Sequence, residues 1–278
     1  MAFVKPKKSL GQHFLKNEAI AKRIADSLLL SEPTPVLEIG PGMGVLTKHL
    51  VQRPEVQLKV IEIDSESVAY LKENNVLPET DIIEGDFLHL PLDSMYPGKF
   101  CITGNYPYNI SSQILFKVYH HRDQVPQLTG MFQREVARRV CSGPHSKEYG
   151  ILSVLLQAYY TLEYLFTVDE NEFNPPPKVK SGVLRMTRNE VKDIGCNEKL
   201  FLRVIKAGFN QRRKTLRNSM KAVVGSEIID IDLLSQRPEQ LTVAEFIRLT
   251  NAVEQVLLRQ NPALEIPAET IDDQLLDS

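Results

Sequence analysis

The sequence predicts an α/β fold: a largely parallel sheet flanked by helices, followed by a small all-α C-terminal domain. Three observations predict it. Short apolar runs alternate with helical patterns as far as about residue 190, the mark of a parallel sheet. The first run leads into Gly40-Pro41-Gly42-Met43-Gly44 and a helix start, and the next ends in Glu62 and Asp64, about 20 positions on. Past a polar stretch, 189–197, the pattern is helical only. The expected division is residues 1–190, 191–260, and an acidic flexible tail at 261–278.

Composition sets bounds. The 278 residues are 42% hydrophobic and 24% charged, values of a soluble globular protein. No run approaches the roughly 18 apolar residues of a membrane span, and the N-terminus has no signal-peptide core. A cytoplasmic protein is expected. Cys101, Cys141 and Cys196 are too few and too widely spaced for a disulfide framework or a zinc site. No metal is expected.

The elements follow in order. Residues 1–17 carry Lys5, Lys7 and Lys8, a solvated arm able to touch phosphates or simply a basic terminus. Gln12-His13-Phe14-Leu15 then precedes a helix, Glu18 to Leu30. Pro35 to Ile39 reads as a strand, and Gly40, Gly42 and Gly44 fall at relative positions one, three and five. The dinucleotide fingerprint needs one, three and six, so a ligand-binding loop and a tight turn both stay open. Glu62, at the end of the strand from Leu58, is placed where a doubly wound fold sets a carboxylate against ribose hydroxyls, with Asp64 capping the next helix. Asp86, ending a strand from Asp81, is either a helix cap or an acceptor for an adenine amino group.

The strand Phe100–Thr103 runs into Gly104-Asn105-Tyr106-Pro107-Tyr108. Pro107 fixes its own φ and pushes Tyr106 toward extended backbone. The expected result is a stiff, exposed corner with one amide and two phenol rings, followed by a helix capped by Ser111 or Ser112. Leu128–Gln133 is a fifth strand, Ile151–Tyr160 a buried helix, and Leu162–Val168 and Val183–Thr187 two edge strands. Between those lies Phe173-Asn174-Pro175-Pro176-Pro177-Lys178-Val179, whose Phe173 either stacks on a base or plugs the core edge.

Helices are expected at 198–210, 212–224, 228–234 and 243–259. Net charge is only −2, but its distribution is uneven: Arg203 to Lys221 holds seven basic residues and no acid, and Ala263 to Ser278 five acids and no base. The tail masks a basic node, centred on Arg212, Arg213, Lys214 and Arg217, dense enough to neutralise several phosphates.

These motifs, in this order and spacing, resemble the ribosomal RNA adenine dimethyltransferase family, its small-subunit branch in particular. The resemblance runs from Gln12 to about Val253 and rests on Gln12–Leu15, Glu38–Gly42, Val60–Asp64, Gly85-Asp86, Gly104–Ile110, Tyr149-Gly150, Phe173–Val179 and Phe209–Lys214. It implies a Rossmann-like class I methyltransferase sheet and S-adenosylmethionine as cofactor. The cofactor contacts it implies are His13, Leu15, Gly40, Gly42, Glu62, Asp86 and Asn105. It implies 16S rRNA as partner, two adjacent adenosines near its 3′ end as substrate, and a late role in ribosome biogenesis. Asn105, Pro107 and Tyr108 become the catalytic candidates, Tyr108 and Phe173 the base-stacking pair, and the basic node the RNA contact. A monomer is expected. Two positions depart from the family pattern: Tyr106 stands for Leu in the Asn-Leu-Pro-Tyr corner, and His13 for Asn in Gln-Asn-Phe-Leu.

The residues suit the chemistry. An adenine amino nitrogen is a poor nucleophile because its lone pair is delocalised, and two oxygen acceptors on its hydrogens favour a reactive, pyramidal form. The rivals are a 23S rRNA methyltransferase of the antibiotic-resistance type, a non-catalytic assembly or transcription factor, and a nicotinamide dehydrogenase, the last having the wrong glycine spacing.

Overall fold

The computed structural model describes residues 4–263. The expected tail therefore lies almost wholly outside the described residues. In chain order the strands are β1 (Phe14–Leu15), β2 (Thr34–Ile39), β3 (Val56–Glu62), β4 (Ile82–Glu84), β5 (Cys101–Asn105), β6 (Gln127–Gln133), β7 (Tyr160–Val168), β8 (Phe173–Asn174) and β9 (Ser181–Arg188). The helices are α1 (Glu18–Asp26), α2 (Thr47–Leu50), α3 (Ser65–Glu73), α4 (Leu92–Met95), α5 (Ser111–His120), α6 (Arg134–Cys141), α7 (Ile151–Gln157), α8 (Glu198–Asn210), α9 (Leu216–Ser219), α10 (Lys221–Val224) and α11 (Val243–Gln260). No described helix is long and apolar enough to cross a membrane.

Two compact units result. The first comprises residues up to Arg138 and Thr161–Arg188, the second Arg139–Tyr160 and the chain from Asn189. Helix α7 thus groups with the C-terminal helices.

The first unit is built on a seven-stranded sheet in the order β4-β3-β2-β5-β6-β9-β7. Strands β4, β3, β2, β5 and β6 are mutually parallel, and β9 returns antiparallel to β6. The central strands are buried because they are apolar on both faces, as parallel strands covered by helices must be. From β2 the chain builds outward to β3 and β4, then crosses to the other side of β2 as β5. The crevice beyond the carboxyl ends of β2 and β5 is therefore the topological switch point, where open α/β sheets hold ligands. The register Ile39↔Gly104 puts Gly40 and Asn105 at the same level on either side of it.

Local signals position the helices. Asn17 caps α1 by accepting from the amides of Ala19 and Ile20 at 3.0 and 3.2 Å. Asp64 caps α3, as its place after β3 predicts. Helix α5 departs from expectation: it starts at Ser111, whose hydroxyl donates back to the carbonyls of Pro107 and Tyr108 rather than accepting as a cap. A small second sheet, β1 against β8 antiparallel, pairs Leu15 with Phe173 and ties the N-terminal motif to the proline loop.

In the second unit α8 is capped by Asn197, and α11 opens on a reciprocal box between Thr242 and Glu245. The single helix expected over 212–224 is two short ones, α9 and α10, after a turn at Gln211–Lys214. Arg213 and Arg217, like charges four apart, would destabilise one helix running through that turn. The helix expected at 228–234 is a 3-10 turn over Asp232–Ser235.

Candidate functional site

Two adjoining cavities open at the switch point, and both are lined by Leu10, Gly40, Glu62, Ile63 and Pro107. The first adds Gln12, His13, Gly42, Asn105 and Tyr108. The second adds Gly85, Asp86, Leu88 and Asn109. Their empty volumes are about 480 and 570 Å3, space open to solvent included.

Each strand end contributes one part. After β2, Gly40 and Gly42 both hold positive φ, 66° and 56°, a conformation that favours glycine. A Cβ on Gly42 would lie 2.8 Å from the Phe14 ring, so this glycine also lets the N-terminal motif close down on the turn. At the end of β3, Glu62 is buried. Its Oε2 accepts from the Gly42 amide and its Oε1 from the Asp64 amide, both at 3.0 Å. These bonds hold the glycine turn and leave each oxygen a second lone pair. Burial raises the Glu62 carboxyl above the usual range, against the pull of those amides.

After β4, Asp86 is a cap, and its Oδ2 lies 2.8 Å from the His89 Nδ1. Its Oδ1 caps the turn that follows, accepting from Leu88 at 2.9 Å, while the residue lines the second cavity. Leu15, in contrast, lines neither cavity: its side chain lies in the core.

After β5 comes the corner. The Asn105 side-chain amide donates to the His13 carbonyl at 3.1 Å. The Tyr106 amide donates to the Met131 carbonyl at 3.0 Å, which anchors the corner to β6. Tyr108 stacks on the His13 ring, 5.5 Å between centroids at 27°, and its hydroxyl meets the Ser181 hydroxyl at 2.5 Å. The His13 Nδ1 lies 2.8 Å from the Pro175 carbonyl.

Two expectations need correction. Tyr106 is not an exposed ring of the corner. It is 1% exposed, packs on Phe132 at 4.5 Å and lies over Gly130, where a Cβ would sit 2.3 Å from its ring. Phe173 is not presented for stacking either. It is 1% exposed in the core cluster with Leu15, Ala21, Met131 and Val183, because β8 pairs with β1 and turns the ring inward.

Of the N-terminal lysines, Lys7 differs from a free arm. Lys7 pairs with Asp64, and with Glu66 at 3.1 Å, while the Gln12 amide donates to Asp64 at 3.1 Å. This clamp holds Leu10 and Gln12 over the cavities. The sequence marked Gln12 and Ile63 only as parts of motifs and assigned Leu10 no role; being apolar or ordinary polar residues, they carry no chemical signal of their own.

A family model described as ribosomal RNA adenine dimethylase matches residues 4–255. The chain belongs to the ribosomal RNA adenine dimethylase family. It is 58% identical over 260 residues to the ribosomal RNA small subunit methyltransferase A of Phocaeicola vulgatus, covering 92% of each chain. To that of Bacteroides fragilis it is 55% identical over 274 residues, 98% of each. Among solved structures, a dimethyladenosine transferase from Plasmodium falciparum superposes with a TM-score of 0.75 at 24% identity, over 88% of this chain and 98% of that one. The 23S rRNA methyltransferase ErmE gives 0.64 at 25%, over 87% and 100%. The fold is that of the class I methyltransferases, and this family member is an enzyme.

In the second unit of the dimethylase, Arg213, Lys214 and Arg217 are exposed. Arg212 is half-buried: its guanidinium donates to the carbonyls of Ser146 and Lys147 at 3.1 and 2.8 Å.

Proposed function

We propose that this enzyme transfers methyl groups from S-adenosylmethionine to the exocyclic amines of two adjacent adenosines near the 3′ end of 16S rRNA in the small ribosomal subunit, two on each, late in subunit biogenesis. The observation that carries the reading is the shared cavity: Gly40 and Gly42, Glu62 and Asn105 line one space at the switch point. The identity to small subunit methyltransferases A favours this branch over the 23S rRNA enzyme, and the intact Asn105-Pro107-Tyr108 corner speaks against a non-catalytic factor.

The residues fit such a cofactor. Glu62 has acceptor capacity left for ribose hydroxyls, Asp86 offers a carboxylate in the second cavity for an adenine amino group, and the glycine turn lets backbone approach the amino-acid end. His13 contributes main chain beside it. When bound, the cofactor supplies an activated methyl group on a sulfonium, so the protein needs no metal for this transfer.

The protein's own work is positional and dipolar. Asn105 gives its amide N–H to His13, which directs the amide and leaves its oxygen for the target amine. The Tyr106 carbonyl, stiffened by Pro107, is the second acceptor. Together they draw the amine hydrogens and localise the nitrogen lone pair, worth the 10²–10⁴-fold typical of such help. Tyr108 offers a ring face to the extruded adenine, a flip that costs a few kcal/mol of lost stacking and pairing. Arg213, Lys214 and Arg217 supply phosphate contacts.

Mass spectrometry tests this. Of separated small and large subunits from cells lacking the enzyme, each incubated with the protein and S-adenosylmethionine, the small ones gain four methyl groups on two neighbouring adenosines. Methylation of 23S rRNA, or of neither RNA, contradicts the assignment.

A further inference from the structure

One loop of the second unit is built with unusual care for a surface segment. Residues 142–150 join α6 to α7. The His145 amide donates to the Glu239 carbonyl at 2.7 Å, and His145 itself holds φ 68°, a left-handed conformation rare for a residue with a side chain. The Gln157 amide donates to the Ser142 carbonyl at 2.7 Å, and Tyr149 meets Phe209 edge-on at 6.0 Å. The Arg212 guanidinium then reaches the Ser146 and Lys147 carbonyls with one nitrogen and lies 5.8 Å from the Phe209 ring.

Arg212 thus faces its own chain, while Arg213 and Lys214, next in sequence, are exposed. Lys147 is exposed too, and among the described residues none of these three cations pairs with a carboxylate. That one nitrogen of Arg212 covers two carbonyl dipoles that would otherwise turn partial negative charge toward a phosphate. It also fixes the Lys147 backbone beside the node.

Building on the reading of this unit as the RNA face, we infer that the 143–147 loop is part of the rRNA contact surface: Lys147 is a phosphate ligand, and Arg212 acts as the positioning residue that docks the loop rather than as a phosphate ligand itself. A flexible point charge suits the first role. The guanidinium nitrogen that makes both bonds lies one bond farther from the backbone than a lysine ammonium, so a lysine falls short of the two carbonyls.

A double-mutant cycle in the salt dependence of binding separates the roles. Unmethylated small subunits are the probe, and cofactor affinity checks that each variant is folded. Lys147→Ala lowers the slope of log K against log salt by about one unit, the share of one phosphate contact. Arg212→Lys keeps the charge yet loses about the same, and the double variant loses no more than Lys147→Ala alone. Arg212→Lys with the wild-type slope, or additive loss in the double variant, overturns the positioning role. A flat response from Lys147→Ala, while Arg213→Ala combined with Lys214→Ala does lose slope, overturns the loop assignment alone. A flat response from both overturns the RNA face itself and the loop with it.

Discussion

The side-chain amide of Asn105 is held by the backbone carbonyl of His13, 3.1 Å away across the mouth of the first cavity. Because the bond is to main chain, it survives any side-chain change at position 13. The His13 ring has a separate job: it braces Tyr108 from one face and is itself tied to Pro175. His13→Ala is therefore expected to keep cofactor affinity within about threefold. Its single-turnover rate falls roughly tenfold, the scale of lost orientation rather than lost chemistry. A rate equal to wild type removes the brace from the account.

Phe173 gives a sharper separation. Its ring is a core side chain, so Phe173→Ala should cost about 3–5 kcal/mol in stability. Phe173→Leu, which keeps most of the volume, should cost less and leave RNA affinity unchanged. Denaturant melts and binding titrations on the same preparations check this. Lost RNA affinity with an unshifted melt would put the ring on the base after all.

The departure at Tyr106 has a structural partner in the next strand. The ring fits because residue 130 is glycine; an added Cβ would also lie 2.5 Å from the Gly104 carbonyl. Gly130→Ala should destabilise by about 1–3 kcal/mol, the usual cost of overpacking. Adding Tyr106→Leu recovers only part of that, since the backbone clash stays. Complete recovery in a thermal melt would show that the ring alone was the obstacle.

Glu38 on β2 predicts a pH dependence. It is 1% exposed, and its Oε2 has no hydrogen-bond partner. Burial pushes the carboxyl up to about 8, with the Glu62 charge adding to the effect. Between the ordinary value of 4.5 and about 8, the folded state keeps a proton that the unfolded chain has released. Stability therefore falls as pH rises through that window, by at most about 1.4 kcal/mol per unit, and levels off above it. Denaturation at about pH 5 and about pH 8 should show the loss in the parent and a smaller one in Glu38→Gln. Equal slopes contradict it.

Much of this was legible in the chain because the signals are local. The alternation of apolar runs and helical patterns placed the strands of the seven-stranded sheet. The spacing from Gly42 to Glu62, and the Asn105-Tyr106-Pro107-Tyr108 corner, placed the cavity. What was not legible depends on residues distant in sequence. The direction of the Tyr106 and Phe173 rings is set by Gly130 and by the pairing of β1 with β8, which no local pattern encodes. The Lys7–Asp64 clamp and the Arg212 contacts likewise join segments more than fifty residues apart. A lysine or arginine that binds its own chain reads in sequence like one that binds phosphate.

The central claim is that the Asn105 amide activates a nucleophile beside the glycine turn. The most direct test is single-turnover methyl transfer by Asn105→Ala on unmethylated small subunits, with cofactor affinity measured by calorimetry on the same preparation. The account predicts affinity within about tenfold of the parent and a rate lower by about a hundredfold or more. A variant that turns over at nearly the parent rate would contradict it.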